Sequence, residues 1–226
     1  MDVVSETGAP HVFCRTTKNG GAGDSGPPTA AGVHAGIRSV SEALFGSSSL
    51  RERSILVQGT GSVGAGLVDL LLADHATVLV CDVDPARVRR YLHVPGVSMI
   101  EPEAVFDTSC DVFAPCALGG VLNRESIPRL QCRGVAGAAN NQLAEESDAE
   151  RLHARGILYA PDYIANIGGA LAIPGMELEG WSAGQADERV RRKVEEVLSV
   201  VFRMAVREDV TTDEAARRVA RSRLGI

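Results

Sequence analysis

Residues 59–64 read Gly59-Thr60-Gly61-Ser62-Val63-Gly64, three glycines at the spacing G-x-G-x-x-G. In a chain with 24 glycines the spacing alone says little, but its surroundings say more. A short apolar strand predicted over 54–58, with Ile55-Leu56-Val57 at its centre, ends just before it. A helical run with Val63, Leu67, Leu70 and Leu71 on one side opens at Ser62. A second apolar run over 77–81 follows and ends in Cys81-Asp82-Val83-Asp84. Strand, glycine turn, helix and strand within about 30 residues form the βαβ unit that binds a dinucleotide.

Each position has a physical task in that reading. Gly59 permits the tight turn off the strand. Gly61 has no side chain, so the backbone can approach a pyrophosphate, and Gly64 lets the helix pack close to the sheet. Thr60, Ser62 and Val63 complete the loop that offers free N–H groups and the positive end of a helix dipole to the phosphates. Asp82, with Val83 beside it, stands at the tip of the second strand. A carboxylate there accepts hydrogen bonds from the adenosine ribose and repels a 2′-phosphate, so NAD is favoured over NADP. Arg87, Arg89 and Arg90 follow closely and soften that preference.

The rest of the chain repeats the alternation. Further strands are predicted over 97–100, 111–114, 134–136 and 157–159, with helices over 85–92, 125–130 and 143–155. Strands alternating with helices imply an α/β fold with a Rossmann-like, mostly parallel sheet and helices on both faces. Ahead of it, residues 15–28 are rich in glycine, proline and small polar residues and read as a loop. Pro27-Pro28 then suits a helix start, and Val33, Ile37, Val40 and Leu44 mark one face of a helix ending near Gly46. After it, Val190, Val194, Val197, Val201 and Met204 form one stripe over 186–208, and Thr211 or Thr212 caps a last helix. The expected division is a linker over 1–27, a dinucleotide-binding domain over 28–185, and C-terminal helices over 186–226 packing on or beside it.

Composition removes other classes. With 45% hydrophobic and 23% charged residues and a formal net charge of −6, the chain has a globular balance and no attraction for nucleic acid or an anionic membrane. No stretch is long and apolar enough for a transmembrane helix, and the acidic start Met1-Asp2-Val3-Val4-Ser5-Glu6 lacks a signal-peptide core. A cytoplasmic location is expected. Cys14, Cys81, Cys110, Cys116 and Cys132 are odd in number, without a C-x-x-C pair, and read as small core residues in a reducing compartment. The histidines are scattered, so no metal site is expected.

Six blocks together carry a resemblance. They are Pro28-Thr29-Ala30-Ala31-Gly32-Val33, Val57-Gln58 with the glycine turn, and Cys81-Asp82-Val83-Asp84. Downstream lie Cys110-Asp111-Val112-Phe113-Ala114-Pro115-Cys116-Ala117-Leu118-Gly119, Ala136-Gly137-Ala138-Ala139-Asn140-Asn141-Gln142-Leu143 and Tyr159-Ala160-Pro161-Asp162-Tyr163-Ile164-Ala165-Asn166-Ile167-Gly168-Gly169. In this order they resemble the cofactor domain of the leucine/phenylalanine/valine branch of the glutamate dehydrogenase superfamily, over nearly the whole chain. The resemblance implies that Thr29 contacts the nicotinamide end and that Cys116, Ala117 and Leu118 run along the cofactor's bridge. It implies that Asn140 and Asn141 meet the nicotinamide ribose, and that Asn166 stands where nicotinamide and substrate meet. Two positions depart from the family pattern: Ile167 replaces a small residue and Ala138 a serine.

The resemblance also implies an activity: oxidative deamination of a branched-chain or aromatic L-amino acid to a 2-oxo acid with NAD. In the family that reaction uses lysines and an aspartate of a separate N-terminal domain, and Met1 falls after that material. The two lysines here, Lys18 and Lys193, lie in a glycine-rich loop and on a charged helix face. Neither matches, so no catalytic residue is assigned. Three readings follow: a dehydrogenase represented by its cofactor domain, a non-catalytic NAD(H)-binding module or subunit of a split enzyme, and a different NAD reaction with Asp162 or Tyr163 as base. The expected partners are an amino acid or 2-oxo acid, a separate substrate-domain chain, and further copies in a homo-oligomer.

Overall fold

Ile55, Leu56 and Val57 send their side chains alternately to the two faces of a sheet, and both faces are buried. That is why this strand reads as a continuous apolar run. The structure, a computed structural model, describes residues 1–8 and 11–225. In chain order the elements are α1 (Asp2–Gly8), α2 (Gly26–Phe45), β1 (Ser54–Gln58), α3 (Ser62–Ala73), β2 (Thr77–Cys81), α4 (Pro85–Arg89) and β3 (Val97–Met99). They continue with β4 (Val112–Pro115), β5 (Gly134–Val135), α5 (Ser147–Ala154), β6 (Leu158–Tyr159), α6 (Asp162–Ala165), α7 (Gly168–Glu179), α8 (Ala183–Glu208) and α9 (Thr212–Leu224).

The six strands form one sheet in the order β3-β2-β1-β4-β5-β6, and every neighbouring pair is parallel. From β1 the chain runs outward to β2 and β3, then returns to β4 on the other side. A crevice therefore opens beyond the carboxyl ends of β1 and β4, where strand order reverses and ligands of such sheets bind. In register, Val57 lies between Val80 and Ala114.

Two cores cover the faces. Ile55, Val57, Val80 and Ala114 pack with Val33 and Ile37 of α2, Leu67 and Leu71 of α3, Val194, Leu198 and Val201 of α8, and Val219 of α9. On the opposite face Leu56, Phe113 and Val135 pack with Ile127, Leu130 and Leu152. The predicted α8 stripe holds at Val190, Val194 and Val201, with Leu198, Phe202 and Ala205 buried beside them. No helix among the described residues is long and apolar enough to cross a membrane.

Several predicted elements change. The helix expected over 125–130 is a single 3-10 turn, Ile127–Arg129. Pro128 supplies no N–H there, and Asn123 Oδ1 accepts the Glu125 and Ser126 N–H groups at 2.9 and 3.0 Å, closing a local turn instead. The helix expected over 143–155 begins only at Ser147, because Leu143 pairs with Leu122 as an isolated parallel bridge. The helix over 85–92 ends at Arg89. Residues 1–27 contain α1 and a 3-10 turn, Thr17–Asn19. No local signal predicts α7, a helix that opens on two glycines and carries Pro174 inside.

Candidate functional site

The glycine turn leaves β1 at Gly59, whose φ of +91° favours glycine and whose N–H donates to the Cys81 carbonyl at 2.7 Å. A Cβ there would lie 2.7 Å from the Ala117 Cβ, and one on Gly64 would run into the Gly59 carbonyl. At Gly61 the space is open, the nearest atom being Arg87 Nη1 at 3.6 Å from an added Cβ. Gly61 is also the N-cap of α3 and offers no side-chain cap, so the first-turn N–H groups face the crevice. Uncapped N–H groups at a helix start, with open space before them, can take an anion. A carboxylate already stands beside them: Asp24 accepts Ser62 Oγ at 2.8 Å and the Gly26 N–H at 2.9 Å. A Cβ on Gly26 would strike Ser62 Oγ, so the first turns of α2 and α3 converge here.

Asp82 is tucked behind the turn, its side chain only 4% exposed. It accepts the Thr60 N–H at 2.7 Å, the Thr60 hydroxyl at 3.2 Å and the Asp84 N–H at 2.9 Å, with Arg87 Nη1 at 3.7 Å. Burial pushes this carboxyl up, but the N–H groups of Asp84 and Thr60, the Thr60 hydroxyl and Arg87 outweigh it and leave it below the usual carboxylate range. Arg90 donates to the Thr60 carbonyl at 2.8 Å and bonds the Tyr91 hydroxyl at 2.7 Å. Val83 is 86% exposed and Leu118 81% exposed. They sit on the loops leaving β2 and β4, the two neighbours of β1, and leave apolar surface exposed there. Burial pushes the Cys116 thiol up to about 12, so it stays protonated and no thiolate is available there.

Farther along the carboxyl edge a cavity of about 470 Å³ brings together Thr29, Val63, Asn140 and Asn166 with Ala138, Gly169 and Ile173. Asn166 Nδ2 donates to Asn140 Oδ1 at 2.7 Å and to the Ala138 carbonyl at 3.2 Å. Thr29 Oγ1 accepts the Gly169 N–H at 3.1 Å, which ties the start of α2 to the start of α7. Asn141 does not line the cavity. Its backbone is left-handed, with φ +52°, and its N–H donates to Asp162 Oδ2 at 2.6 Å. Asp162 therefore faces the loop backbone, and Tyr163 donates instead to Asp213 at 3.0 Å, so neither candidate base points into the cavity. Lys193 lies on α8 with Glu196 at 3.7 Å, and Lys18 is in the exposed 3-10 turn.

Six wall residues escaped the sequence reading: Ala170, Ile173 and Pro174 of α7, and Phe13, Cys14 and Ser25. The last three come from the segment read as a linker. Glu177 of α7 holds that segment across the cavity by accepting the Cys14 and Ala22 N–H groups at 3.0 and 2.9 Å. Nothing local in the sequence signals a contact that spans 163 residues.

A sequence profile of the Glutamate/Leucine/Phenylalanine/Valine dehydrogenase family matches residues 73–225. A leucine dehydrogenase of Thermoactinomyces intermedius is 36% identical over 229 residues, covering 99% of this chain and 60% of the relative. A phenylalanine dehydrogenase of Caldalkalibacillus thermarum is 40% identical over 210 residues, covering 91% of this chain and 56% of the relative. Among solved structures, the L-tryptophan dehydrogenase of Nostoc punctiforme superposes with a TM-score of 0.84 at 38% identity, over 88% of this chain and 60% of that one. The chain thus spans about 60% of the length of these relatives. On sequence, sheet order and superposition alike, the chain belongs to the glutamate/leucine/phenylalanine/valine dehydrogenase family.

Proposed function

We propose that this chain is the coenzyme-binding part of an NAD-dependent amino-acid dehydrogenase. The reaction takes a branched-chain or aromatic L-amino acid, NAD+ and water to a 2-oxo acid, ammonia, NADH and a proton. One observation carries the reading: the open glycine turn with Asp82 behind it and the Asn140–Asn166 cavity lie along one edge of the sheet, at the point where strand order reverses. Names of relatives that act on leucine, phenylalanine and tryptophan support the substrate class.

The residues fit the coenzyme. Open space at Gly61 and the free first turn of α3 suit the pyrophosphate, Asp82 Oδ1 keeps a lone pair beside its bond from the Asp84 N–H for a ribose hydroxyl of NAD although the side chain is only 4% exposed, and Val83 and Leu118 flank the adenine position. Asn140, Asn166 and Thr29 offer amide and hydroxyl groups, which orient a carboxamide and ribose without adding charge. When bound, NAD supplies the hydride acceptor. The chain's own part is to bind and orient it and to wall off water with Phe13, Val63 and Ile173.

Proton transfer needs a further contributor. The lining side chains are amides, hydroxyls, apolar groups and the Cys14 thiol, which burial and the nearby Glu177 and Asp24 carboxylates push up. We therefore assign the acid–base lysines to a substrate domain outside these 226 residues. Five unpaired cysteines suit the reducing cytoplasm.

The test has two steps. NADH binding is measured first by coenzyme fluorescence. Reduction of NAD is then followed by absorbance with valine, leucine, isoleucine, phenylalanine and tryptophan. Binding without turnover is the expected result for the isolated chain, with turnover restored by a lysine-bearing partner domain. Turnover by the chain alone would reveal a base within it. Failure to bind NADH would sink the reading.

A further inference from the structure

The one-turn helix α6 opens with Asp162 and is closed by Asn166, and both ends reach the same loop. At its end Asn166 holds Asn140 Oδ1 and the Ala138 carbonyl. At its start Asp162 Oδ2 accepts the Asn141 N–H at 2.6 Å, a short charge-assisted contact. The loop between is otherwise pinned by Ala139 N–H to the Pro115 carbonyl at 2.9 Å and by Gly120 N–H to the Asn141 carbonyl at 2.7 Å.

Asn141 is the turning point of the loop. Its φ of +52° lies in the left-handed region, which asparagine adopts more readily than other side chains, so its orientation is set by what holds its backbone. Asp162 provides that hold, and its own rotamer is fixed in turn. The buried Tyr159 hydroxyl donates to Asp162 Oδ1 at 3.1 Å, while the Asp162 N–H donates to the same hydroxyl oxygen at 3.2 Å. Burial and the Asp162 charge push the Tyr159 phenol far up, so it remains a donor. Among the described residues no lysine, arginine or histidine pairs with Asp162. Its carboxylate is committed to this loop.

We propose that Asp162 is a positioning residue for the nicotinamide end of the coenzyme. By holding Asn141 left-handed it sets the register of the loop, and so presents the Asn140 amide to Asn166 and the cavity. This role rests on the coenzyme site proposed above. It differs from general-base catalysis, for which Asp162 faces the wrong way.

NADH and ADP titrations on the full chain separate the two ends of the site, because ADP carries the adenosine and phosphates but no nicotinamide half. Wild type is expected to bind both. Asp162→Ala should weaken NADH about ten-fold while ADP stays within about two-fold, the size set by loss of a charged acceptor. Asp162→Asn keeps a carbonyl oxygen for the Asn141 N–H and should hold NADH within about three-fold of wild type. Tyr159→Phe frees the carboxylate's rotamer and should weaken NADH by about three-fold, again sparing ADP. This variant with Asp162→Asn carries the test if Asp162→Ala does not fold.

Wild-type NADH affinity in Asp162→Ala would overturn the proposal. So would equal loss of NADH and ADP, which marks general damage, or an Asp162→Asn variant as weak as Asp162→Ala. A wild type that binds ADP and NADH, with a flat Asp162 series, removes this inference alone. A wild type that binds no NADH removes the proposed function and this inference together.

Discussion

Asp24 is the residue whose charge is most exposed to what the site is proposed to bind. Its carboxylate sits on Ser62 Oγ, where the first turns of α2 and α3 converge. A pyrophosphate on the same turn brings like charge beside it. Asp24→Asn keeps a carbonyl oxygen for the Gly26 N–H, reverses the Ser62 bond so that the amide donates to the hydroxyl, and removes the repulsion. An effect of about 0.3–1 kcal/mol at a helix terminus corresponds to NADH binding roughly 2–5-fold tighter, with the gain shrinking as salt is raised. Weaker binding in a fluorescence titration would show that Asp24 supports the site. His34 makes a second prediction. It is 4% exposed, its Nδ1 faces Arg191 at 2.8 Å and its Nε2 faces Asp74 at 2.9 Å. Arginine only donates, so Nδ1 is the acceptor and Nε2–H donates to Asp74. Burial, opposed by Asp74 and aided by Arg191, lowers His34 from 6.5 to about 4. Because the folded value is depressed, its contribution to stability is full above about pH 6.5 and is lost as the pH falls toward 4, on the order of 3 kcal/mol in all. Urea melts from neutral to mildly acidic pH should show this acid limb, and His34→Gln, which cannot titrate, should flatten it.

At the scale of elements, helix ends behave as their sequences ask. Thr211 Oγ1 accepts the Glu214 N–H at 3.1 Å at the start of α9, and Ser182 with Gln185 forms a capping box ahead of α8. Thr211→Ala should therefore cost about 1 kcal/mol, read as a lowered thermal midpoint with NADH affinity unchanged. The same local rules explain what was legible. β1, β2 and the glycine turn were readable to the residue because two-faced burial writes an unbroken apolar run and a turn at positive φ selects Gly59. Of the residues assigned to the nicotinamide end, Thr29, Asn140 and Asn166 share the cavity, while Asn141 lends its backbone to Asp162. What stayed hidden depends on long-range contact. α7 starts on Gly168 and Gly169 because side chains there would strike Pro28 and Ser25 of the α2 turn, a packing demand that looks locally like a loop. Phe13 and Cys14 reach the cavity on a segment that Glu177 holds from far along the chain. Over 125–130 an apolar pattern was present, but Asn123 and Pro128 diverted the backbone.

For the molecule as a whole, α8 and α9 share one core with α2, α3 and the sheet, so the C-terminal helices brace the face that carries α2. That bracing fixes where the first turns of α2, α3 and α7 come together, with Thr29, Val63 and Gly169 all lining the cavity. Each turn brings positive partial charge, and none carries a lysine or arginine whose movement could relieve it. On the proposed reading, the oxidised nicotinamide ring is a cation and the reduced ring is neutral. The field that draws in the pyrophosphate thus opposes the oxidised ring. Asp24, a full negative charge where the turns of α2 and α3 meet, offsets that field, so in Asp24→Asn, where it is removed, NADH is expected to gain on NAD relative to the wild type. Paired titrations of the two forms in both proteins check this, and an unchanged ratio would refute it. Each tenfold preference for NADH raises the midpoint potential of the bound two-electron couple by about 30 mV. Three converging helix ends and the carboxylate facing them would then act as a fixed voltage source, setting how strongly the bound coenzyme accepts electrons.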